Sequence, residues 1–486
     1  MRKKLLILFL NFGVVPLVLS ICAFILMSAG LDNIMIAALL PLSIGGIFIG
    51  FFISKKRAQS GELPGLFTLF LLPLAYTAVS WAMFMLISGG FYGANSWFYY
   101  CLFHLSLAPI YFIAMFSGEG RLFLLAPLAY ELAFVGGVLI AMIISKTRPI
   151  FNKKQLLPSL LVFSLAMGTG GAVQWQRSQT VLPSYGFKYG GGYSSTDLTP
   201  YEVMNPDNKL PKLGVASTFT IKNPSEMPIL DGAEAAFPVY SAFANATYEN
   251  IGKMMGEAGE VVSFTNTTYA YERLLSGEVD IYFGAVPSKE QLEMAKEAGK
   301  ELVKTPIGKE AFVFFVNPSN QVNSLKVSEI KEIYSGKIKN WSEVGGKNKR
   351  IIAFQRPKNS GSQTLLEKIM GDTPIMKPLK EDVPEGMGGI IEQVADYRNY
   401  DNSIGFSFRF FATGMKANQD IKLLAIDAIE PNPENIASGE YPFTASLYAI
   451  TVKDNPKQAI QPFLEWMQGT QGQEIVERIG YIKAVE

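Results

Sequence analysis

The rhythm of hydrophobic and polar positions changes partway along the chain. Up to about residue 173 the sequence is a series of long apolar runs; beyond about residue 215 it is mixed and charged. Six of the early runs are long enough to span a bilayer: residues 5–29, 34–53, 66–87, 97–116, 122–144 and 156–173. The later region alternates short strand-like runs with helical periodicity. Residues 228–232 end a short strand and 234 to about 255 read as a helix. Residues 261–264 read as a strand leading through Asn266-Thr267-Thr268 into a helix over 269–275, and 280–284 as a third strand. Residues 311–316 form an apolar strand and 326–334 a helix. Such alternation predicts an α/β domain. Between the two regions, residues 174–214 are rich in Tyr, Gly, Ser and Pro and read as a tether.

One junction stands out. Residues 350–354 read as a strand, and apolar positions 365, 366, 369 and 370 predict a helix. Between them Pro357 stops the strand and Ser360-Gly361-Ser362 places a hydroxyl residue at the helix start. A helix N-terminus leaves N–H groups unpaired and carries partial positive charge, so it can hold an oxyanion. Arg356 adds a planar fork of donors suited to phosphate or carboxylate. The plainer reading is a capped helix beside a surface arginine. Two other strand-to-helix turns also carry small or hydroxyl residues, and helix N-termini converging from strand ends make a ligand crevice in open α/β sheets.

Composition narrows the chemistry. The chain has 486 residues and a net charge of +1, so nucleic acid is not an expected partner. Its two cysteines, Cys22 and Cys101, and its one histidine, His104, all lie in apolar runs. The later region therefore has no Cys-His, Ser-His-Asp or histidine-metal chemistry, and neither a metal nor a cofactor is expected there. No phosphate-loop or dinucleotide fingerprint is present, and the chain does not read as an enzyme. The first apolar run follows Arg2-Lys3-Lys4 but is too long for a signal peptide. Within the runs the acidic and basic side chains are His104 and Glu131, which read as neutral or paired with each other inside a bundle. Basic clusters at 2–4, 55–57 and 146–154 compete for the cytoplasmic side. Three runs separate the second cluster from the third, so one run does not cross fully or one cluster breaks the rule. With 146–154 inside, the C-terminal domain lies outside.

From about residue 195 onward the chain resembles the phosphate-binding proteins of phosphate ABC importers, which have the two-lobed type II periplasmic-binding-protein fold. The resemblance is carried by Leu230-Asp231-Gly232-Ala233-Glu234-Ala235-Ala236-Phe237-Pro238, by 271–281, by 333–341, by Arg356 with Ser360-Gly361-Ser362, by 435–443 and by 470–473. The apolar N-terminal region is not part of the common importer protein, so the chain looks like a membrane-anchored variant of that family, in three parts. A polytopic membrane bundle of about six spans covers 1–173, a tether 174–214, and the solute-binding domain 215–486. One lobe of that domain would comprise about 215–310 plus 426–486, the other about 311–425. It further implies a ligand site in which Arg356, Ser360, Gly361 and Ser362 serve the third loop and Thr267 and Thr268 the second.

The first loop departs, with Ala233-Glu234-Ala235-Ala236 where the family has a hydroxyl. The family's acidic residue before the Ser-Gly-Ser turn is replaced by Lys358-Asn359, and Gly284-Ala285-Val286-Pro287 lacks an aspartate often found there. A carboxylate accepts the proton of monohydrogen phosphate and repels sulfate, so its loss weakens that discrimination. Glu234 either restores it or is a first-turn carboxylate that only favours the helix dipole. The implied function is a multi-pass cell-membrane protein with an extracytoplasmic domain that captures phosphate or a similar oxyanion, for an ABC importer permease or for sensing. The alternative is a repurposed sensor or interaction domain that binds no phosphate.

Overall fold

The computed structural model describes residues 2–28, 33–59, 63–91, 96–117, 119–147, 153–182, 196–254, 260–385, 389–415 and 420–484. Two compact units result: residues 1–189 with 380–393, and residues 190–379 with 394–486.

The first unit is helical: α1 (Arg2–Phe9), a π-helical turn (Leu10–Val14), α2 (Val15–Ser28), α3 (Ile34–Gln59), α4 (Leu63–Phe70), α5 (Leu72–Ser88), α6 (Ser96–Phe103), α7 (Ala108–Ser117), α8 (Leu122–Ile144) and α9 (Lys153–Ser178). Five stretches are long and apolar enough to cross a membrane: Leu5–Leu26, Ile34–Ala58, Leu66–Ser88, Leu122–Ile144 and Leu156–Ser178. The expected span at 97–116 is not one of them, so five of the about six expected are found among the described residues. Its chain leaves the helix at His104 (φ −134, ψ 48) and passes through a 3-10 turn, Leu105–Leu107, into α7. Pro109, second residue of α7, lacks the N–H that would carry a continuous helix across the break. Tyr76 donates its hydroxyl to the Phe103 carbonyl at 2.9 Å, satisfying one of the acceptors that the break exposes.

Glycine sets the closest packing in this unit. A Cβ on Gly50 would lie 2.2 Å from the Phe134 carbonyl, and one on Gly137 2.2 Å from that of Ile47. The backbones of α3 and α8 therefore touch, as small residues allow. Strand β1 (Val181–Leu182) follows α9.

The second unit runs β2 (Leu230–Gly232), α10 (Phe237–Thr247), α11 (Thr267–Ser276), β3 (Ile281–Gly284), α12 (Lys289–Glu297), β4 (Leu302–Val316), β5 (Ser324–Leu325), α13 (Val327–Tyr334), β6 (Ile352–Ala353) and α14 (Gly361–Met370). Next come β7 (Lys380–Glu385) and β8 (Gly389–Val394), which form a three-stranded sheet with β1 in the first unit, β7 pairing parallel to β1. The chain then forms β9 (Ser403–Phe408), β10 (Lys422–Leu423), β11 (Ala425–Ile426), α15 (Pro433–Ala437), β12 (Thr444–Val452), α16 (Ile460–Gln468) and α17 (Thr470–Ile479).

The main sheet has the order β2-β3-β12-β4-β9-β6. Strand β4 joins its halves: Leu302 to Ala311 pair with β12, and Phe312 to Val316 pair with β9. It is much longer than the run at 311–316 suggested, because Lys304, Thr305, Pro306 and Gly308 hide its first part from a hydrophobicity pattern. The helix expected from 234 is a 3-10 turn, Glu234–Ala236, followed by α10, since Pro238 suits a helix start and not an interior. Residues 261–264 make only an isolated bridge, Val262 to Leu230. Phe243, Phe463 and Met467 lie at the centre of a core built on α10, α16 and α17, which also buries Val203 and Leu210. Trp341 and Trp466 are buried too.

Candidate functional site

Three strand-to-helix turns line one cavity of about 330 Å³ in the second unit. The first follows β2. A Cβ on Gly232 would lie 2.2 Å from the Phe283 carbonyl, and Ala233 donates its N–H to the same oxygen at 2.7 Å, so β2 and β3 fix where Glu234 begins its turn. The second turn is anchored to the first through Asp231. This fully buried carboxylate accepts from the Thr265 N–H at 2.9 Å, the Thr265 hydroxyl at 2.7 Å and the Arg273 guanidinium. A buried charge held this way leaves little freedom to either loop. Asn266, at φ 76, caps α11 by accepting from the Thr268 N–H at 3.0 Å and the Tyr269 N–H at 3.2 Å, and Thr267 and Thr268 face the cavity.

The third turn carries the charge. Ser360 accepts from the Gln363 N–H at 3.3 Å, which makes it the N-cap of α14 as the sequence predicts. Gln363 also accepts from the Arg356 N–H at 3.0 Å, tying the arginine backbone to the helix it precedes. The Arg356 guanidinium donates to Asp396 at 3.4 Å. Asp396 is buried and fixes the direction of the fork.

All seven residues named from the sequence, Glu234, Thr267, Thr268, Arg356, Ser360, Gly361 and Ser362, line this single cavity. The structure adds Asn266, Ser407 and four phenylalanines (Phe264, Phe406, Phe408 and Phe411) to its lining. It also adds Asp396 behind Arg356. Asn266 and Phe264 stand beside the Thr267-Thr268 turn already marked in the sequence, whereas Asp396, Ser407, Phe406, Phe408 and Phe411 carried no local signal, since each reaches the site through the folding of distant strands.

Lys358, which stands where the family has an acid, does not enter the site as an uncommitted cation. Its ammonium lies 2.7 Å from Glu290, which also accepts from the Asn359 amide at 3.0 Å; Ser288 donates to Asn359 at 2.9 Å. Hydrogen bonding from Lys358 lowers the Glu290 carboxyl below its ordinary value, and the same bond raises Lys358. These contacts link the turn after β3 to the turn after β6, across the two halves of the sheet.

Among the described residues no group of three or more His, Cys, Asp or Glu side chains has metal-site geometry. The arrangement offers an anion the Arg356 fork, the N-terminus of α14 and serine and threonine hydroxyls.

Residues 229–470 match the family model of the PBP superfamily domain. The chain is 28% identical over 188 residues to the phosphate-binding protein PstS of Bacillus subtilis, covering 38% of this chain and 59% of that protein. It is 23% identical over 292 residues to PstS of Borreliella burgdorferi, covering 59% of this chain and 95% of that one. Among solved structures, an ABC-type phosphate transport receptor from Vibrio cholerae aligns with 18% identity and a TM-score of 0.39, covering 52% of this chain and 99% of that one. Residues 229–470 are thus a domain of the PBP superfamily, related to the PstS proteins.

Proposed function

We propose that this protein is a membrane-tethered, extracytoplasmic solute-binding protein that captures phosphate or a closely related oxyanion by closure of two lobes, for delivery to an ABC importer permease or for sensing. The observation that carries this reading is the convergence of Arg356, the N-terminus of α14 and the hydroxyls of Thr267, Thr268, Ser360 and Ser362 on one cavity. Anions are favoured there by the guanidinium and by the helix dipole together. The relatives named phosphate-binding proteins support the choice of ligand.

The broken span supports one orientation. With 97–116 not crossing, only Leu66–Ser88 and Leu122–Ile144 separate the basic clusters at 55–57 and 146–154, so both fall on one side. The cluster at 2–4 joins them, and all three obey the positive-inside rule. The last span then carries the binding domain outside.

Isothermal calorimetry on the full chain in detergent, titrated with phosphate and with sulfate, tests the ligand. A saturable heat with phosphate that is lost in Arg356→Ala is the expected result. Absence of heat from the folded wild-type chain overturns the oxyanion reading and leaves a repurposed binding fold.

A further inference from the structure

The helical unit holds a second cavity, of about 630 Å³, that the phosphate reading leaves without a role. Its walls are largely apolar, with Phe9, Phe12 and Phe103 among them, and its polar groups include Tyr76, His104 and Glu131. Glu131 lies nine residues from the start of α8, about 14 Å along the helix at 1.5 Å per residue. In a bilayer with a hydrocarbon core about 30 Å thick this is near the middle.

Glu131 and His104 do not pair with each other. Glu131 accepts from the Thr77 hydroxyl at 2.8 Å through Oε1, and His104 Nε2 lies 3.0 Å from the Ser80 hydroxyl. Thr77 and Ser80 are neighbours on one face of α5, so each ionisable group has its own holder. Of the two expected arrangements, neutral or paired with each other, this removes the pairing. Glu131 is 7% exposed, and its second oxygen, Oε2, has no hydrogen-bond partner among the described residues. A buried carboxyl oxygen without a donor is costly, so the site is incomplete as it stands.

Two irregularities of the backbone surround the same cavity. The π-helical turn Leu10–Val14 contributes Phe12 and Val14, and the break between α6 and α7 contributes His104 and Leu105. π-turns recur at functional positions. Irregular backbone at membrane depth is tolerated where it is packed in protein or lines a cavity. Broken helices are also how membrane proteins build ligand sites.

We propose that this cavity binds an amphiphile with a protonated amine head and an apolar tail. Among the described residues no lysine or arginine lines the cavity, and Glu131 is its one acidic residue. An anionic head is therefore disfavoured, whereas an ammonium donates to Oε2 and forms a neutral pair with the carboxylate. The phenylalanine faces add cation–π attraction, and the aliphatic walls receive the tail. The inference rests on the membrane reading of the helical unit and is independent of what the other cavity binds.

The test compares three heads on one chain length. Radiolabelled dodecylamine, dodecanol and dodecanoate are each measured for retention by the full chain in maltoside micelles, by equilibrium gel filtration. The expected result is retention of the amine on the order of tenfold tighter than the alcohol, with the carboxylate at background. Glu131→Gln is expected to bring the amine down to the level of the alcohol. Equal retention of all three heads by the wild-type chain, as for a site filled by water, overturns the proposal even where the variant does not fold. An amine preference that survives Glu131→Gln also overturns it. Extraction of cell membranes with alkaline carbonate tests the membrane reading separately, since a chain released by carbonate is not embedded.

Discussion

Among the described residues Glu234 is the one acidic side chain lining the cavity of the C-terminal domain, in a loop where the resemblance predicted a hydroxyl. An ionised carboxylate there repels sulfate and accepts a hydrogen bond from the O–H of monohydrogen phosphate. Glu234→Gln is expected to lower the ratio of phosphate to sulfate affinity in competitive titrations, with sulfate affinity rising; an unchanged ratio assigns Glu234 only to the helix dipole. Asp396 acts one step further out, as a positioning residue. Asp396→Asn removes the charge that aims the Arg356 fork, and phosphate affinity is expected to fall roughly fivefold while the melting temperature stays near that of the wild type. The two residues differ in how visible they were. Glu234 sits inside a recognisable local stretch. Asp396 lies 40 residues from Arg356 in sequence, beyond the β7–β8 excursion, and no spacing rule connects them.

Among the elements, hydrophobic runs marked where the apolar helices lie but not whether each is continuous. The 97–116 run is apolar, and what divides it is the conformation at His104 with Pro109 behind it. Length and hydropathy register neither. The contact of α3 with α8 was similarly hidden, because glycines within an apolar run look like any other small residue until a partner backbone lies against them. Gly137→Leu forces a side chain toward the Ile47 carbonyl, and the helices must separate. A loss of about 1–3 kcal/mol is expected, read as a lower denaturation midpoint of the detergent-solubilised chain. Strand-to-helix turns fared better, since Ser360 caps α14 where the sequence places it. Caps and turns are decided within a few residues, and so can be read from a short window.

At the scale of the molecule, β4 runs through both halves of the main sheet, and Glu310 stands next to the point where its partner changes from β12 to β9. The carboxyl accepts from the Ala311 N–H and from the Phe410 N–H, both at 2.9 Å, which ties β4 to the chain just beyond β9. Burial pushes it up from 4.5 to about 7, opposed by those two bonds and by Arg409. Between these values the folded chain holds a proton that the unfolded chain has released. Glu310 therefore favours folding fully below about pH 4.5, and this contribution is lost as pH rises through about 7. The difference corresponds to roughly 3 kcal/mol. Amide exchange in β4 and β9, corrected for intrinsic rates, is expected to show less protection at pH 7.5 than at pH 5, and Glu310→Gln to remove most of that difference. The α/β class and the domain's family were legible from strand–helix alternation and a handful of motifs. The crossing strand was not, since half of β4 is polar and interrupted by proline and glycine.

The small sheet of the helical unit bears on how the binding domain can be handled alone. Strand β7 belongs to the C-terminal sequence, but its parallel neighbour β1 lies at Val181–Leu182, before the domain begins. A chain shortened to start near residue 215 keeps β7 and β8 and loses that neighbour. It is left with an uncovered strand edge, a template for pairing between copies, so the shortened domain would be prone to self-association.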